Sequence, residues 1–146
     1  MIVLDTTILL YAVGGSHPLR APSLRLIEAV RASAVRASTT VEVIQEFVHA
    51  FARRRDRRDA SQLGRAWATL LDPLICTERE DLEQGLALYE SHPALGAFDA
   101  VLAAATLARG AAALVSADRA FAVVPGLHYV DPTTPALDGL IGNRSP

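Results

Sequence analysis

Four carboxylates in this 146-residue chain stand where a polypeptide can do chemistry with them. Asp5 closes the apolar run Ile2-Val3-Leu4, the short β-branched pattern of a strand buried on both faces. It therefore falls at the carboxyl end of a strand, where open α/β sheets hold their ligands. Asp118 is set in a similar way, three residues beyond the strand-like Ala113-Leu114-Val115 and just after Ser116, although a turn Asp capping the next segment fits it equally well. Asp99 lies in the first turn of a helix-like stretch, 97–108, whose only polar residues are Asp99 and Thr106. A helix apolar all round belongs in the interior. A helix dipole contributes only about 0.3 to 1 kcal/mol at an exposed end, against the several that burying an ion costs. Asp99 thus needs a cation, unless it reaches solvent at the helix start.

The fourth carboxylate comes from Val41-Glu42-Val43-Ile44-Gln45-Glu46-Phe47-Val48. With about 100° per residue, the apolar face centres near Phe47; Glu46 falls about 40° from Ala50 at the border of that face and Glu42 about 80° away. Glu46 is the better candidate, and a solvated helix glutamate is the alternative for both. Several carboxylates in one crevice cannot all ionise without a cation, and an oxygen donor set with no thiolate or inward imidazole suits Mg²⁺ or Mn²⁺. Such an ion lowers the pKa of a bound water and steadies a leaving oxygen in phosphodiester hydrolysis.

The elements that must position these acids alternate strand with helix. Thr6 and Thr7 read as caps of a helix beginning near Ile8, Ser23 as the cap of a helix to about 32, and further helices follow over 41–54, 60–71, 79–91 and 96–109. Thr77 reads as the cap of the helix over 79–91. Strand-like pieces at 35–37, 74–76, 112–115 and 128–130 complete the pattern. The expected fold class is α/β, one domain over residues 1–146 with a short central parallel sheet, helices on both faces and a loose end from about residue 132. The run Arg53-Arg54-Arg55-Asp56-Arg57-Arg58 is a poor helix interior and marks a bend or exposed corner. It could hold nucleic-acid phosphates, and a solvated corner or a protein-docking surface fits it as well.

Composition narrows the chemistry further. All fourteen Lys and Arg residues are Arg, which removes Schiff-base chemistry and the lysine of phosphate loops and of Asp-nucleophile phosphatases. The net charge of -2 does not advertise nucleic-acid binding, yet a local basic patch can bind a backbone on a slightly acidic chain. A single cysteine, Cys76, allows no intrachain disulfide and no multi-thiolate metal site, and is expected as a core thiol. The four histidines show no metal-ligand spacing, and Trp67 is expected in the core or a dimer interface. With no apolar run of about 18 residues and no signal-peptide pattern, a cytoplasmic protein with no membrane partner is expected.

Ile2-Val-Leu-Asp5-Thr-Thr7, Val43-Ile-Gln-Glu46-Phe, Ala97-Phe-Asp99-Ala-Val-Leu-Ala-Ala104 and Leu114-Val-Ser-Ala-Asp118-Arg-Ala-Phe121 resemble, in order and spacing, the four acidic motifs of PIN-domain ribonucleases. The likeness extends over essentially the whole chain and is strongest to the VapC toxins of toxin-antitoxin pairs. It implies a PIN-like domain in which Asp5, Glu46, Asp99 and Asp118 surround Mg²⁺ or Mn²⁺, with Thr6 or Thr7 and Ser116 assisting. Ser116 stands where Thr is more usual and keeps the hydroxyl. The resemblance further implies an endoribonuclease toxin acting on tRNA or ribosomal RNA to inhibit translation, a homodimer, and a VapB-type antitoxin that occludes the acidic pocket. Two other readings stand beside it. A catalytically idle PIN-like interaction module would have lost an acid, whereas all four are present. A phosphatase with Asp5 as nucleophile would carry an acid where Thr7 stands and a lysine downstream.

Overall fold

The computed structural model describes residues 1–142. Four short strands, β1 (Ile2–Leu4), β2 (Ala37–Ser38), β3 (Leu114–Val115) and β4 (Tyr129–Val130), form one sheet in the order β2-β1-β3-β4. Every pairing is parallel, with Val3 opposite Ser38 on one side and Leu114 on the other. Ile2, Val3 and Leu4 alternate between the two faces of the sheet, and all three are buried, so both faces are covered. The chain leaves β1 for one neighbour and later returns to pair on its other side. The carboxyl ends of β1 and β3 therefore flank a reversal of strand order, the place where such sheets open a crevice.

Helices fill the connections: α1 (Thr6–Val13), α2 (Arg20–Arg31), α3 (Val41–Ala52), α4 (Arg57–Leu70), α5 (Arg79–Ser91) and α6 (Ala97–Ala108). A 3-10 turn follows over Arg119–Val123, and α7 spans Ala136–Gly142. Their starts differ instructively from the sequence reading. Asp5 itself caps α1, accepting from the Thr7 N–H at 3.3 Å, so Thr6 and Thr7 are helical rather than capping. Ser23 is no cap either: α2 begins three residues earlier, and Pro22 is tolerated in a first turn whose N–H groups have no intrahelical acceptor. Asp56 caps α4 by accepting from the backbone of Arg58 and Asp59. The bend is thus confined to residues 53–56, and Arg57 and Arg58 enter the helix. Glu78 rather than Thr77 caps α5, in a reciprocal box with Asp81.

The strand expected at 74–76 shrinks to a single bridge between Thr40 and Ile75. Cys76 is exposed, not a core thiol, because its segment runs along the surface beyond that bridge. Trp67 is buried edge-on against Phe47, with ring centroids 6.1 Å apart. Chain beyond residue 132 is not uniformly loose: α7 buries Leu137 in the core and pairs Asp138 with Arg25. Residues 143–146 of that segment lie outside the described ones.

Helices α5 and α6 pack very closely. A Cβ on Gly85 would lie 2.7 Å from the Val101 Cα, so only glycine permits this approach. Asp81, buried at 3% exposure in the first turn of α5, is held there by Arg109 just past α6, at 2.5 Å. The second guanidinium nitrogen donates to the Cys76 carbonyl. No helix among the described residues is long and apolar enough to cross a membrane.

Candidate active site

The Asp5 backbone continues the β1–β3 ladder, its N–H donating to the Val115 carbonyl at 3.1 Å. This pins a carboxylate at only 4% exposure to the mouth of the crevice. Three groups from two elements converge on its Oδ2: the Thr7 hydroxyl at 2.7 Å, the Ser116 hydroxyl at 2.7 Å and the Thr7 N–H. The Thr7 hydroxyl in turn accepts from the Ala117 N–H at 3.0 Å, and the Ser116 hydroxyl accepts from the Asp118 N–H at 2.9 Å. Loops after β1 and β3 are thereby tied together around one oxygen, and the other carboxylate oxygen has no hydrogen-bond donor among the described residues.

Glu46 reaches the same place from α3, whose start is fixed by Thr40 accepting from the Val43 N–H. Its Oε2 accepts from the Thr6 hydroxyl at 2.5 Å. Thr6 and Thr7 thus each orient one acid. Asp99 arrives from α6, where Gly96 precedes the first turn; a Cβ there would sit 2.9 Å from the Asp99 Oδ2. Asp5, Glu46 and Asp99 line a single cavity of about 520 Å³, with Leu82, Leu86 and Phe98 on its other wall. Asp118 lies outside that lining, exposed, with its Oδ1 accepting from the Ala120 N–H. Its charge still reaches Asp99.

Electrostatics bind the acids into one group. Burial first, then the charges of Asp5, Asp118 and Glu46, push the Asp99 carboxyl up to about 6, with the Gly96 N–H pulling partly against them. Asp81 shows the opposite balance. Burial pushes it up, but hydrogen bonds from Arg109 and the Glu78 N–H, and the guanidinium charge, more than reverse this and hold it below the usual carboxylate range.

Glu46 and Glu42 both line the cavity and are told apart by their partners, not by the deeper burial of Glu46 that periodicity suggested. Glu46 is the more exposed of the two and accepts from the Thr6 hydroxyl, with its charge reaching Asp99, while Glu42 accepts from the Thr77 hydroxyl. Glu78 also lines the cavity and was hidden by reading Thr77 as the cap, although a Glu three residues before Asp81 is capping-box spacing. The Asp81–Arg109 pair, 28 residues apart, left no signal in the sequence at all.

Among the described residues no three acidic, imidazole or thiolate side chains form a ready-made ion cage. The donors that do face one another are all oxygens, and they repel. That combination fits a hard cation such as Mg²⁺, which keeps several of its waters and takes only one or two carboxylates directly.

The fold and this acidic crevice define a class, and the chain belongs to it: the PIN domain family, whose profile matches residues 2–127. Among individual relatives, the chain is 48% identical over 145 residues to Ribonuclease VapC7 of Mycobacterium tuberculosis (strain ATCC 25618 / H37Rv), covering 99% of this chain and 100% of that one. Ribonuclease VapC13 of the same organism is 31% identical over 127 residues, covering 87% and 97%. A solved structure described as a toxin-antitoxin complex from Klebsiella pneumoniae superposes with a TM-score of 0.68 at 20% identity, covering 90% of this chain and 98% of that one, a likeness of fold.

Proposed function

We propose that this protein is a metal-dependent endoribonuclease, the toxin of a toxin-antitoxin pair, that hydrolyses phosphodiester bonds in structured RNA such as tRNA or ribosomal RNA and so inhibits translation. The observation that carries the reading is the convergence of Asp5, Glu46 and Asp99, from the end of β1, α3 and α6, on one cavity where burial first, and then the neighbouring acids, raise Asp99 to about 6. The names of the VapC relatives support it.

Asp5, Glu46 and Asp99 would hold Mg²⁺, with Mn²⁺ as a substitute, and Asp118, outside the cavity lining, would contribute through its charge or a bridging water. When bound, the ion supplies an acidified water and charge stabilisation at the leaving oxygen. The chain's own residues do the positioning. Thr7 and Ser116 hold one Asp5 oxygen and leave the other without a donor, and Thr6 holds one oxygen of Glu46 in the same way. Asp99, whose ionised form is disfavoured by burial and by its acidic neighbours, would be held in that form by a bound cation.

Two protein partners belong to the proposal, a second copy of the chain and a VapB-type antitoxin. Leu82, Leu86, Tyr89 and Phe98 are exposed large apolar side chains beside the acidic cavity, with Phe98 at 75%, and a partner covering them would also close the site. Incubation with total cellular RNA, with and without EDTA, tests the activity. Cleavage that stops in the chelator and returns with added Mg²⁺ is expected; undiminished cleavage in EDTA rejects the metal mechanism.

A further inference from the structure

The acidic cavity is a hostile place for a polyanion. Five carboxylates, Asp5, Glu42, Glu46, Glu78 and Asp99, line it against one guanidinium, Arg79. One or two divalent ions compensate only the reacting phosphate, so the affinity for a nucleic-acid strand has to come from elsewhere on the surface.

A second groove, about 680 Å³, begins at the other side of the same turn. Thr7 lines it, and the Thr7 hydroxyl donates to Asp5 of the acidic cavity, so the two are linked through one hydrogen-bonded pair. The lining contains Arg53, Arg54 and Arg55 and no carboxylate. Their lack of partners sets them apart from four arginines elsewhere: Arg25, Arg79, Arg109 and Arg119 each have an acid, whereas among the described residues none of these three does. All three are exposed, just past the end of α3. The partial negative charge of that helix end favours a cation, but three adjacent ones repel.

Across the groove the Tyr11 and His17 rings are stacked, with centroids 4.4 Å apart and planes 23° from parallel. The Leu19 N–H donates to His17 Nδ1 and fixes that ring, which is exposed. Unpaired arginines opposite a preformed aromatic stack are the two elements that single-stranded nucleic-acid sites combine. Arg matches phosphate bidentately, and a ring stack takes any base.

We propose that this groove binds the single-stranded RNA flanking the scissile phosphate, with phosphates on Arg53, Arg54 and Arg55 and one base stacked on the Tyr11–His17 pair. The proposal rests on the ribonuclease reading of the acidic cavity. RNA is favoured over a protein segment because three of the exposed large apolar side chains on which a protein would anchor line the other cavity: Leu82, Leu86 and Phe98.

The test is binding of a short, labelled, single-stranded RNA oligonucleotide to the full chain in EDTA, followed by anisotropy across a salt series. Replacing Arg53, Arg54 and Arg55 together with Gln is expected to weaken binding at least tenfold and to flatten the log Kd against log salt slope by about 2, at about 0.7 per phosphate on single strands. Tyr11→Leu is expected to cost about tenfold with the salt slope unchanged. Its effect should shrink when one nucleotide of the probe is made abasic, a dependence that a merely structural role for Tyr11 would not produce. Circular dichroism melts establish that the variants are folded. If the triple Gln variant binds with the parent's Kd and slope while the parent cleaves RNA with Mg²⁺, the groove is not an RNA subsite and the ribonuclease reading stands. A parent that neither binds nor cleaves RNA overturns both.

Discussion

Asp81 and Asp99 occupy the first turns of two helices packed against each other, and the molecule treats them in opposite ways. Asp81 is nearly inaccessible and fully compensated: Arg109 lies at 2.5 Å, the Glu78 N–H donates to it, and its carboxyl stays below the ordinary range. Asp99 faces the cavity with no ion-pair partner among the described residues, and burial followed by three neighbouring like charges raises it to about 6. One acid is neutralised in place and fastens α5 to α6. The other is left without a paired cation, which makes its ionised form a cost to the fold. The two carboxylates therefore separate a paired, fold-holding acid from an unpaired, cavity-facing one across a single helix-helix contact.

Substitutions can break that separation in order of effect. The largest concerns Asp5→Asn or Asp99→Asn, each expected to lower the RNA cleavage rate by a thousandfold or more, about 4 kcal/mol of activation free energy, while the circular dichroism spectrum is kept. Retained activity in either variant removes that residue from the reacting centre. Next comes Asp81→Asn, expected to cost about 3 kcal/mol of unfolding free energy in urea titrations, since it leaves the Arg109 guanidinium half-paired. Cleavage per folded molecule should survive it, the reverse of Asp99→Asn. Gly85→Ala should cost about 2 kcal/mol, because the added methyl meets the Val101 backbone and pushes α5 off α6.

The smallest effect sharpens the contrast through pH. Folding raises the Asp99 pKa, so between about 6 and the unfolded value the native state binds the extra proton. From this group, the ion-free protein gains stability as pH falls through about 6 towards 4. Asp99→Asn should add about 1 kcal/mol at pH 7 and remove that slope in urea titrations. Asp81 has the opposite sign. Its lowered carboxyl contributes stability above the ordinary carboxylate pKa that is lost as pH falls through its folded value.

The place of Asp5 was legible because strand burial is written locally: three apolar residues and then an Asp leave little choice of where the Asp goes, whereas Asp118, three residues past its strand, caps the 3-10 turn outside the cavity lining. The parallel sheet was legible through the same alternation. Helix starts were less so, since Asp5, Thr6 and Thr7 are all good caps and only the phase of the first turn chooses among them. Direction at long range was not written at all. Periodicity placed Glu46 at the border of the buried face, yet its value to the site lies in facing Asp99, 53 positions along the sequence. Cys76 was misread because apolar neighbours such as Leu74 and Ile75 suggest a strand, whereas Ile75 makes only one bridge before the chain surfaces.

Asp5 both ends the first strand and begins the first helix, and this double employment narrows the ways the molecule can lose its activity. Alanine there would remove the charge and also unfasten the start of α1, at about 1 kcal/mol for the missing cap. Asparagine removes the charge alone. Of the two changes, only the amide leaves the junction between sheet and helix fastened, so it is the one a well-folded chain without that charge would carry.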